Sequence, residues 1–190
     1  MSTEVDERAR QTRKLHSGDD ERPPMADPEE IRAWLTLAGL VESLPTVLSV
    51  QLKQDAGINN FDYMVLSCIS DTPHQTVRMS DLAAFVGGSI SRLSHTLTKM
   101  ENRGWVRRRP DTDNGRFTEV ALTQEGKDVV AQAAPGHVRE VRRVMIDVLG
   151  HSQTLQLGTL LDQVFAAVNP DVQRVFDERF PDVDLHASDG

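Results

Sequence analysis

Apolar residues recur at helical spacing in separate blocks of the chain, and polar or glycine-containing stretches divide these blocks. Residues 1–27 lack any apolar period and are predicted to form a disordered arm. From Pro28 to Gln54 apolar residues return at steps of three and four, which predicts a long helix that ends at Gly57. Pro45 should kink this helix or divide it in two, because proline cannot donate a helical hydrogen bond.

The second block, Phe61 to Ser70, is apolar almost all round, which predicts a helix that lies in the core. Asn59 or Asn60 is expected to cap it, since asparagine side chains accept hydrogen bonds from the free amides of a first helical turn. The following residues, Asp71 to Val77, include Pro73 and are predicted to form a loop.

Two short helices with a tight turn between them are predicted next. Ser80 should cap a helix over residues 81–86, Gly87-Gly88 should make the turn, and Ser89 should cap the second helix. The second helix has a polar, hydroxyl-rich face opposite a predicted buried stripe that consists of Ile90, Leu93, Leu97 and Met100. This arrangement predicts a helix-turn-helix, in which the second helix can enter a DNA groove.

A β-hairpin is predicted after the helix-turn-helix. Gly104 should end the polar-faced helix. Residues 105–109 and 117–122 have the composition of two strands, and residues 110–115 that of the turn between them. Trp105 is expected to pack under this hairpin. The sequence therefore predicts a mainly α fold with a small β-hairpin, arranged as a winged helix-turn-helix.

Two longer helices are predicted to complete the chain. Thr123 should cap the first of them, which Pro135-Gly136 bends or interrupts and which Gly150 ends. Ser152 should cap a last helix that carries an apolar stripe from Leu155 to Val168.

Positive charge is concentrated between Ser89 and Arg116. This stretch holds seven basic and three acidic residues, hence a net charge of +4, whereas the whole chain carries −8. A phosphate backbone attracts such a patch and repels the rest of the surface. A solvated basic face without a partner is the simpler interpretation, but the surrounding helix-turn-helix and hairpin favour nucleic acid.

Composition argues against several other classes of protein. No apolar run approaches the roughly 20 residues of a membrane span, and we expect a cytoplasmic protein that does not contact membranes. Cys68 is the single cysteine and is expected to be a buried thiol rather than a redox sensor. The six histidines are scattered, so no metal or other cofactor is expected. No nucleophile has a placed base, which argues against an enzyme.

The segment from Met79 to Lys127 resembles the MarR family of winged-helix transcriptional regulators, which act as homodimers. The resemblance rests on the hydroxyl-rich second helix, on Asp111 and Arg116 in the wing, and on Leu122-Thr123-Gln124-Glu125-Gly126, which matches the family's Leu-Thr-x-x-Gly. The wing tip departs from the usual Asp-Arg-Arg and reads Asn114-Gly115-Arg116. Arg116 is therefore the single obvious groove-reaching arginine at the tip.

The resemblance implies that the second helix lies in the major groove and the wing in a minor groove. Arg92 can pair with guanine through two hydrogen bonds, while Arg107 and Arg109 share one face of their strand and suit phosphates. Arg116 can enter the minor groove, and Asp111 or Asp113 is expected to pair with it and stabilise the wing. The predicted DNA-contacting residues are Ser89, Ser91, Arg92, His95, Lys99, Arg107, Arg109 and Arg116.

The apolar stripes at residues 31–52 and 155–168 exceed what a small winged helix can bury, which predicts a two-fold homodimer. The expected organisation is an arm (1–27), a dimerisation helix (28–58), the winged domain (59–123), further dimerisation helices (124–180) and a flexible tail (181–190).

The resemblance also implies release from DNA by a small aromatic or phenolic effector, for which Trp34, Phe61 and Tyr63 are candidate lining residues. The expected role is that of a repressor, although the sequence itself does not distinguish repression from activation, and it leaves open whether an effector exists. The alternative function is a winged-helix module that binds protein instead of DNA.

Overall fold

The computed structural model describes residues 27–87, 89–110, 117–170 and 172, and this part of the chain is mainly helical. The helices are α1 (Pro28–Ala56), α2 (Asn60–Ser70), α3 (Met79–Phe85), α4 (Ile90–Asn102), α5 (Gln124–Val141) and α6 (Asp147–Val168). The strands are β1 (Thr76–Arg78), β2 (Val106–Pro110) and β3 (Thr118–Leu122). A 3-10 turn over Pro73–Gln75 precedes β1, and a π-helical turn over Arg142–Ile146 joins α5 to α6. The predicted arm and tail lie outside the described residues.

The chain divides into two compact units, one that ends at Ser43 and one that begins at Leu44. In the first unit, Asp27 caps α1 by accepting hydrogen bonds from the amides of Glu29 (2.9 Å) and Glu30 (3.0 Å). None of the described residues up to Ser43 is buried. The exposed apolar side chains of this unit include Trp34, Leu35, Leu40 and Val41.

Helix α1 continues without a break through Pro45, so the predicted division into two helices is wrong. It ends at Ala56, and Gly57 follows with a φ of +67°, a conformation that glycine adopts without a steric penalty. The predicted end at Gly57 is confirmed.

Helix α1 is also long and apolar enough to cross a membrane, by length and composition alone. The prediction that no apolar stretch approaches this length is therefore wrong for α1. The same length and composition occur in helices that pack against protein.

The amides at the start of α2 are satisfied by a capping box. Asn59 Oδ1 accepts from the amide of Asp62 at 2.9 Å, and the Asp62 carboxylate accepts from the amide of Asn59 at 3.4 Å. Asn59, one of the two residues predicted as candidates, is therefore the cap of α2. In the second unit α2 carries the buried side chains Tyr63, Val65, Leu66, Cys68 and Ile69, which confirms the predicted core helix.

The sheet has a third strand that the sequence did not reveal. β1 pairs antiparallel with β3, which also pairs with β2, and the order is β1-β3-β2. The prediction of a loop over residues 71–77 is thus wrong at Thr76 and Val77. A strand of three residues is too short to show an alternating pattern, and its hydrogen-bonding partner lies more than 40 residues away in sequence.

Helices α3 and α4 form the predicted helix-turn-helix, with two corrections. Ser80 does not cap α3: Arg78 occupies the cap position, and the Ser80 hydroxyl donates to Asp81 Oδ1 at 3.0 Å. On α4, Leu93, Leu97 and Met100 are buried as predicted, but Ile90 is 63% exposed. Ile90 is the first residue of α4, where the helix extends beyond the core that covers its later turns.

The main core lies where α2, α3, α4 and the sheet meet. Its fully buried side chains are Val65, Leu66, Ile69, Leu82, Leu93, Leu97, Met100, Val106 and Val120. A second cluster of buried residues joins the end of α1 to α2 and α5 and contains Leu52, Ile58, Tyr63 and Ala133. The two clusters fix the winged-helix elements to the start of α5.

The C-terminal helices follow the prediction in part. Pro135 lies inside α5, which is not interrupted there but continues to Val141. Inside α6, Gly150 has a φ of +73°, which is not a helical conformation. This agrees with the predicted helix end at this residue. No residue of α6 is buried, although Leu155, Leu160, Leu161, Val164 and Val168 are all on it.

Candidate nucleic-acid interface

The first turn of α4 projects from the core with its amides capped. Ser89 Oγ accepts a hydrogen bond from the amide of Arg92 at 3.2 Å, as predicted from its position. Ser89, Ser91 and Arg92 are all exposed. The Ser89 oxygen is therefore engaged with its own helix, while its hydroxyl hydrogen remains free to donate.

The outward face of α4 is polar and free of acidic partners. His95 and Lys99 follow Ser91 one and two turns along the helix, and all three side chains are exposed. Within the described part of the chain none of the three forms a side-chain hydrogen bond or an ion pair. This face can therefore offer hydroxyl, imidazole and ammonium donors to a partner.

Arg92 is held in place by an aromatic ring. Its guanidinium carbon lies 4.0 Å from the centroid of the Phe61 ring, at the start of α2. A cation stacked in this way is oriented by the ring quadrupole, while the edge of the guanidinium stays available for hydrogen bonds. Phe61, predicted as a ligand-lining residue, thus supports a residue of the candidate DNA-binding face.

The three arginines of β2 differ in their surroundings. Arg107 and Arg109 are exposed on one face of the strand and Arg108 lies half-buried on the other, as the alternation predicted. Arg109 Nε donates to Glu119 Oε2 of β3 at 3.1 Å. Arg107 has no acidic partner among the described residues and is the β2 arginine best placed to meet a phosphate.

Arg108 is bound to α4 instead of facing solvent. Its backbone amide donates to Glu101 Oε1 at 2.9 Å and its Nε donates to Glu101 Oε2 at 2.7 Å. Its Nη2 contacts Glu101 Oε2 and also donates to Thr98 Oγ1 at 3.0 Å. These hydrogen bonds hold the pKa of the Glu101 carboxyl below its usual range. No sequence signal pointed to this pair, because its residues lie on different elements.

The turn from α4 into β2 is closed by Gly104, whose φ is +75°. The amide of Gly104 donates to Glu101 O at 2.9 Å and that of Trp105 to Met100 O at 2.9 Å, which is the hydrogen-bond pattern of a Schellman motif. Trp105 then packs partly buried against both core clusters, with the Arg103 guanidinium 4.7 Å from its ring centroid.

The Leu-Thr-x-x-Gly motif fastens the hairpin to α5. Thr123 Oγ1 accepts from the amide of Gly126 at 3.1 Å and lies within donor distance of two carbonyls, Gly104 O at 2.6 Å and Trp105 O at 3.0 Å. A Cβ on Gly126 would lie 2.2 Å from Trp105 O. The motif therefore needs a hydroxyl to bridge the two segments and a glycine to let them approach.

The predicted wing-tip residues Asp111, Asp113 and Arg116 lie outside the described residues, so their roles remain predictions.

The remaining ligand-lining candidates lie in different settings. Trp34 belongs to the first unit and is 59% exposed. Tyr63 is buried in the second cluster, and its ring centroid is 4.4 Å from that of His137 on α5. Burial, together with the negative charge of Asp71, raises the pKa of Tyr63, and burial lowers the pKa of His137.

Two polar atoms are buried without a partner among the described residues: His137 Nδ1, which belongs to this ring pair, and Gln51 Oε1, on a side chain that lies against Gly136. Among the same residues no group of three or more His, Cys, Asp or Glu side chains could hold a metal ion. Cys68 is buried in α2.

A helix-turn-helix followed by a hairpin and braced by a third strand defines a winged-helix protein. Residues 58–118 match the MarR family. The chain is 33% identical to Sco3205, a MarR family transcriptional regulator from Streptomyces coelicolor whose structure was determined in complex with DNA. That match has a TM-score of 0.72 and covers 77% of this chain and 95% of Sco3205.

AbsC, a MarR family transcriptional regulator from the same organism, is 34% identical, with a TM-score of 0.66 and coverage of 75% of this chain and 93% of AbsC. The transcriptional regulator HosA of Escherichia coli is 36% identical over 74 residues. The chain spans about half the length of the curated relatives it matches (45% and 53%). This chain belongs to the MarR family of transcriptional regulators, and the predicted fold class is confirmed.

Proposed function

We propose that this protein is a sequence-specific DNA-binding repressor that acts as a homodimer on a pseudo-palindromic operator. The observation that carries the proposal is the outward face of α4. There Ser91, His95 and Lys99 are exposed and have no acidic partner among the described residues, Arg92 is exposed on the same helix, and Arg107 is exposed on β2. The crystal structure of Sco3205 with DNA, a relative covered over 95% of its length, supports the same use of the fold.

In this proposal α4 lies in the major groove and each side chain has a definite task. Ser91, Arg92 and His95 meet base edges or adjacent phosphates, and Arg92 discriminates guanine by about 1–3 kcal/mol. Lys99, Arg107 and Arg109 bind phosphates and so fix the position of the protein without reading sequence. Arg116 enters the minor groove, a role that rests on the sequence.

Homodimerisation is supported by apolar side chains in each unit that the described residues leave exposed. In the first unit Trp34, Leu35 and Val41 are 59–62% exposed, and in the second unit α6 has no buried residue. Contiguous apolar surface of this kind marks an interface. For α1, a charged Glu42 in the middle of the apolar stretch favours a protein interface over a membrane. A two-fold dimer would place its two α4 helices about 34 Å apart, on successive turns of the duplex.

The proposal extends to release from DNA by a small phenolic effector. It is supported by two buried polar atoms that have no partner among the described residues: His137 Nδ1, whose ring contacts the buried Tyr63 ring, and Gln51 Oε1. A phenolic hydroxyl could donate to either atom. Salicylate and phenol, titrated into the protein–operator complex, should raise the dissociation constant if this holds.

The alternative, a winged-helix module that binds protein, requires an apolar outward face on α4. Arg92, His95 and Thr98 occupy the positions at which such a module would expose apolar groups. Ile90 is the single exposed aliphatic residue of α4, and one such residue does not make an apolar surface.

DNA binding is tested by genomic selection with the purified protein, followed by titration of the recovered operator at fixed salt. We expect salt-sensitive binding that weakens in Arg92→Ala and Arg116→Ala, the first with relaxed base preference. Absence of binding to every fragment, including those near its own gene, would refute the proposal.

Leu160→Glu, which places a charge on the exposed face of α6, should convert a dimer to a monomer in light scattering; a wild-type monomer would refute the dimer.

A further inference from the structure

Arg108 lies within the run of three arginines that the charge pattern assigns to DNA, yet its side chain is turned away from solvent. Arg108 and Glu101 are 27% and 29% exposed. Three donors of Arg108, the backbone amide, Nε and Nη2, are directed at the two Glu101 oxygens. A phosphate that bound Nε and Nη2 would have to break both hydrogen bonds of the guanidinium to Glu101 Oε2.

The pair joins the two elements that must meet the duplex together. Glu101 is in the last turn of α4 and Arg108 is in the middle of β2. Thr98 extends the connection, since its Oγ1 accepts from Arg108 Nη2 at 3.0 Å and donates to Ser94 O at 2.9 Å. Side chain and backbone of one strand residue are thereby fixed to two successive turns of the helix.

We propose that Arg108 is a positioning residue: clamped by Glu101 and Thr98, it sets the orientation of the β2–β3 hairpin relative to α4, so that both reach adjacent grooves. This inference rests on the proposed DNA binding. Arg108 then contributes to affinity through geometry, and Arg107, its exposed neighbour, contributes through charge.

The two roles predict opposite effects of the substitution Glu101→Gln on operator affinity. If Arg108 bound phosphate, Glu101→Gln would remove a repelling acid and free the guanidinium, and operator binding would tighten. If the pair positions the hairpin, Glu101→Gln weakens binding, although the protein becomes more positive. We expect a loss of about tenfold, comparable to one misplaced base contact.

Arg108→Lys distinguishes the contribution of the guanidinium geometry to operator affinity from the contribution of its charge. Arg108→Lys keeps the charge but cannot form the planar two-bond fork, so a positioning role predicts a loss close to that of Arg108→Gln. Arg107 supplies the matched control, and Arg107→Lys should bind like the wild type. Arg107→Gln should lower the slope of log affinity against log salt by about 0.9 per protomer, hence by about 1.8 for the proposed dimer, because one phosphate per protomer is no longer neutralised.

The experiment is operator titration by fluorescence anisotropy at several salt concentrations, with circular dichroism to confirm that each variant is folded at the assay temperature. Thr98→Val, which removes one hydrogen bond of the clamp, serves if Glu101→Gln does not fold, and should weaken binding by a smaller factor. Tighter binding by Glu101→Gln, or wild-type binding by Arg108→Lys, would overturn the inference while leaving DNA binding intact. A wild-type protein that binds no DNA would instead remove the proposed function.

Discussion

Gly126→Ala tests whether the contact between the hairpin and α5 is as close as the structure shows. A Cβ at this position would lie 2.2 Å from Trp105 O and 2.8 Å from Leu122 Cδ1. Non-bonded atoms normally stay about 3.5 Å apart, so one segment must move by roughly 1 Å. Trp105 O is held in place, because it accepts from the amide of Thr123 at 3.0 Å.

The cost follows from the bonds that such a movement would break. The Thr123 amide and hydroxyl both lie 3.0 Å from Trp105 O, and breaking a hydrogen bond costs about 1 kcal/mol. Overpacking destabilises the folded state by about a further 1–3 kcal/mol, whereas the higher helix propensity of alanine stabilises it by about 1 kcal/mol. We expect the free energy of unfolding to fall by about 2–4 kcal/mol.

The measurement is urea unfolding followed by circular dichroism at one protein concentration, because dimerisation makes stability depend on concentration. Gly136→Ala on the same helix is the matched control. Its Cβ would meet Asp55 Oδ2 at 2.0 Å and Gln51 Nε2 at 2.3 Å, which are side-chain ends that can rotate away. The control should lose less stability than Gly126→Ala; equal stability of the two variants, or a Gly126→Ala protein as stable as the wild type, would refute the reasoning.

Two further predictions concern Ile90 and His137. Ile90, exposed on α4, should contact the methyl group of an operator thymine. Replacing that thymine by uracil should weaken operator binding by the wild-type protein several-fold but should not weaken binding by Ile90→Ala. The control variant Ser91→Ala should still lose affinity on the same replacement. If no thymine position shows this dependence on Ile90, the contact does not exist. Burial lowers the pKa of His137, so below pH about 6.5 the unfolded state binds a proton that the folded state excludes, and the stability of the protein should decrease as the pH decreases. Thermal melts at decreasing pH should show a weaker decrease in His137→Leu than in the wild type. An unchanged fall in His137→Leu would contradict the assignment.

Several features that depend on neighbouring residues in the sequence were predictable. Ser89 and Thr123 cap helices with hydrogen bonds that span three residues, and both were identified from their type and position. Asn59 was one of two candidates for its cap, and the same reasoning was wrong for Ser80. The polar outward face of α4 followed in the same way from the helical period. These local signals were sufficient for the fold class and for the candidate DNA-binding face.

Features that depend on distant pairing were not predictable. β1 exists because β3 supplies its hydrogen bonds, and no residue near Thr76 indicates this. Ile90 matches the helical stripe but lies beyond the core that the stripe faces. The alternation along β2 separated Arg108 from Arg107 and Arg109, but the acidic partners, Glu101 for Arg108 and Glu119 for Arg109, became visible only in the fold.

The same pairing changes the electrostatics of the candidate interface. Glu101 is the single acidic residue of α4, and its charge is offset by Arg108 in direct contact. A phosphate that approaches the outward face of α4 therefore meets Lys99 and Arg92 without a net repulsive charge from the helix itself. Two oppositely charged residues that cancel in a sequence count thus act differently in the fold. Together they connect the hairpin to α4, and among the described residues they leave the exposed cations Arg92, Lys99 and Arg107 without an acidic partner. A protein with an overall charge of −8 can then attract DNA at one surface only.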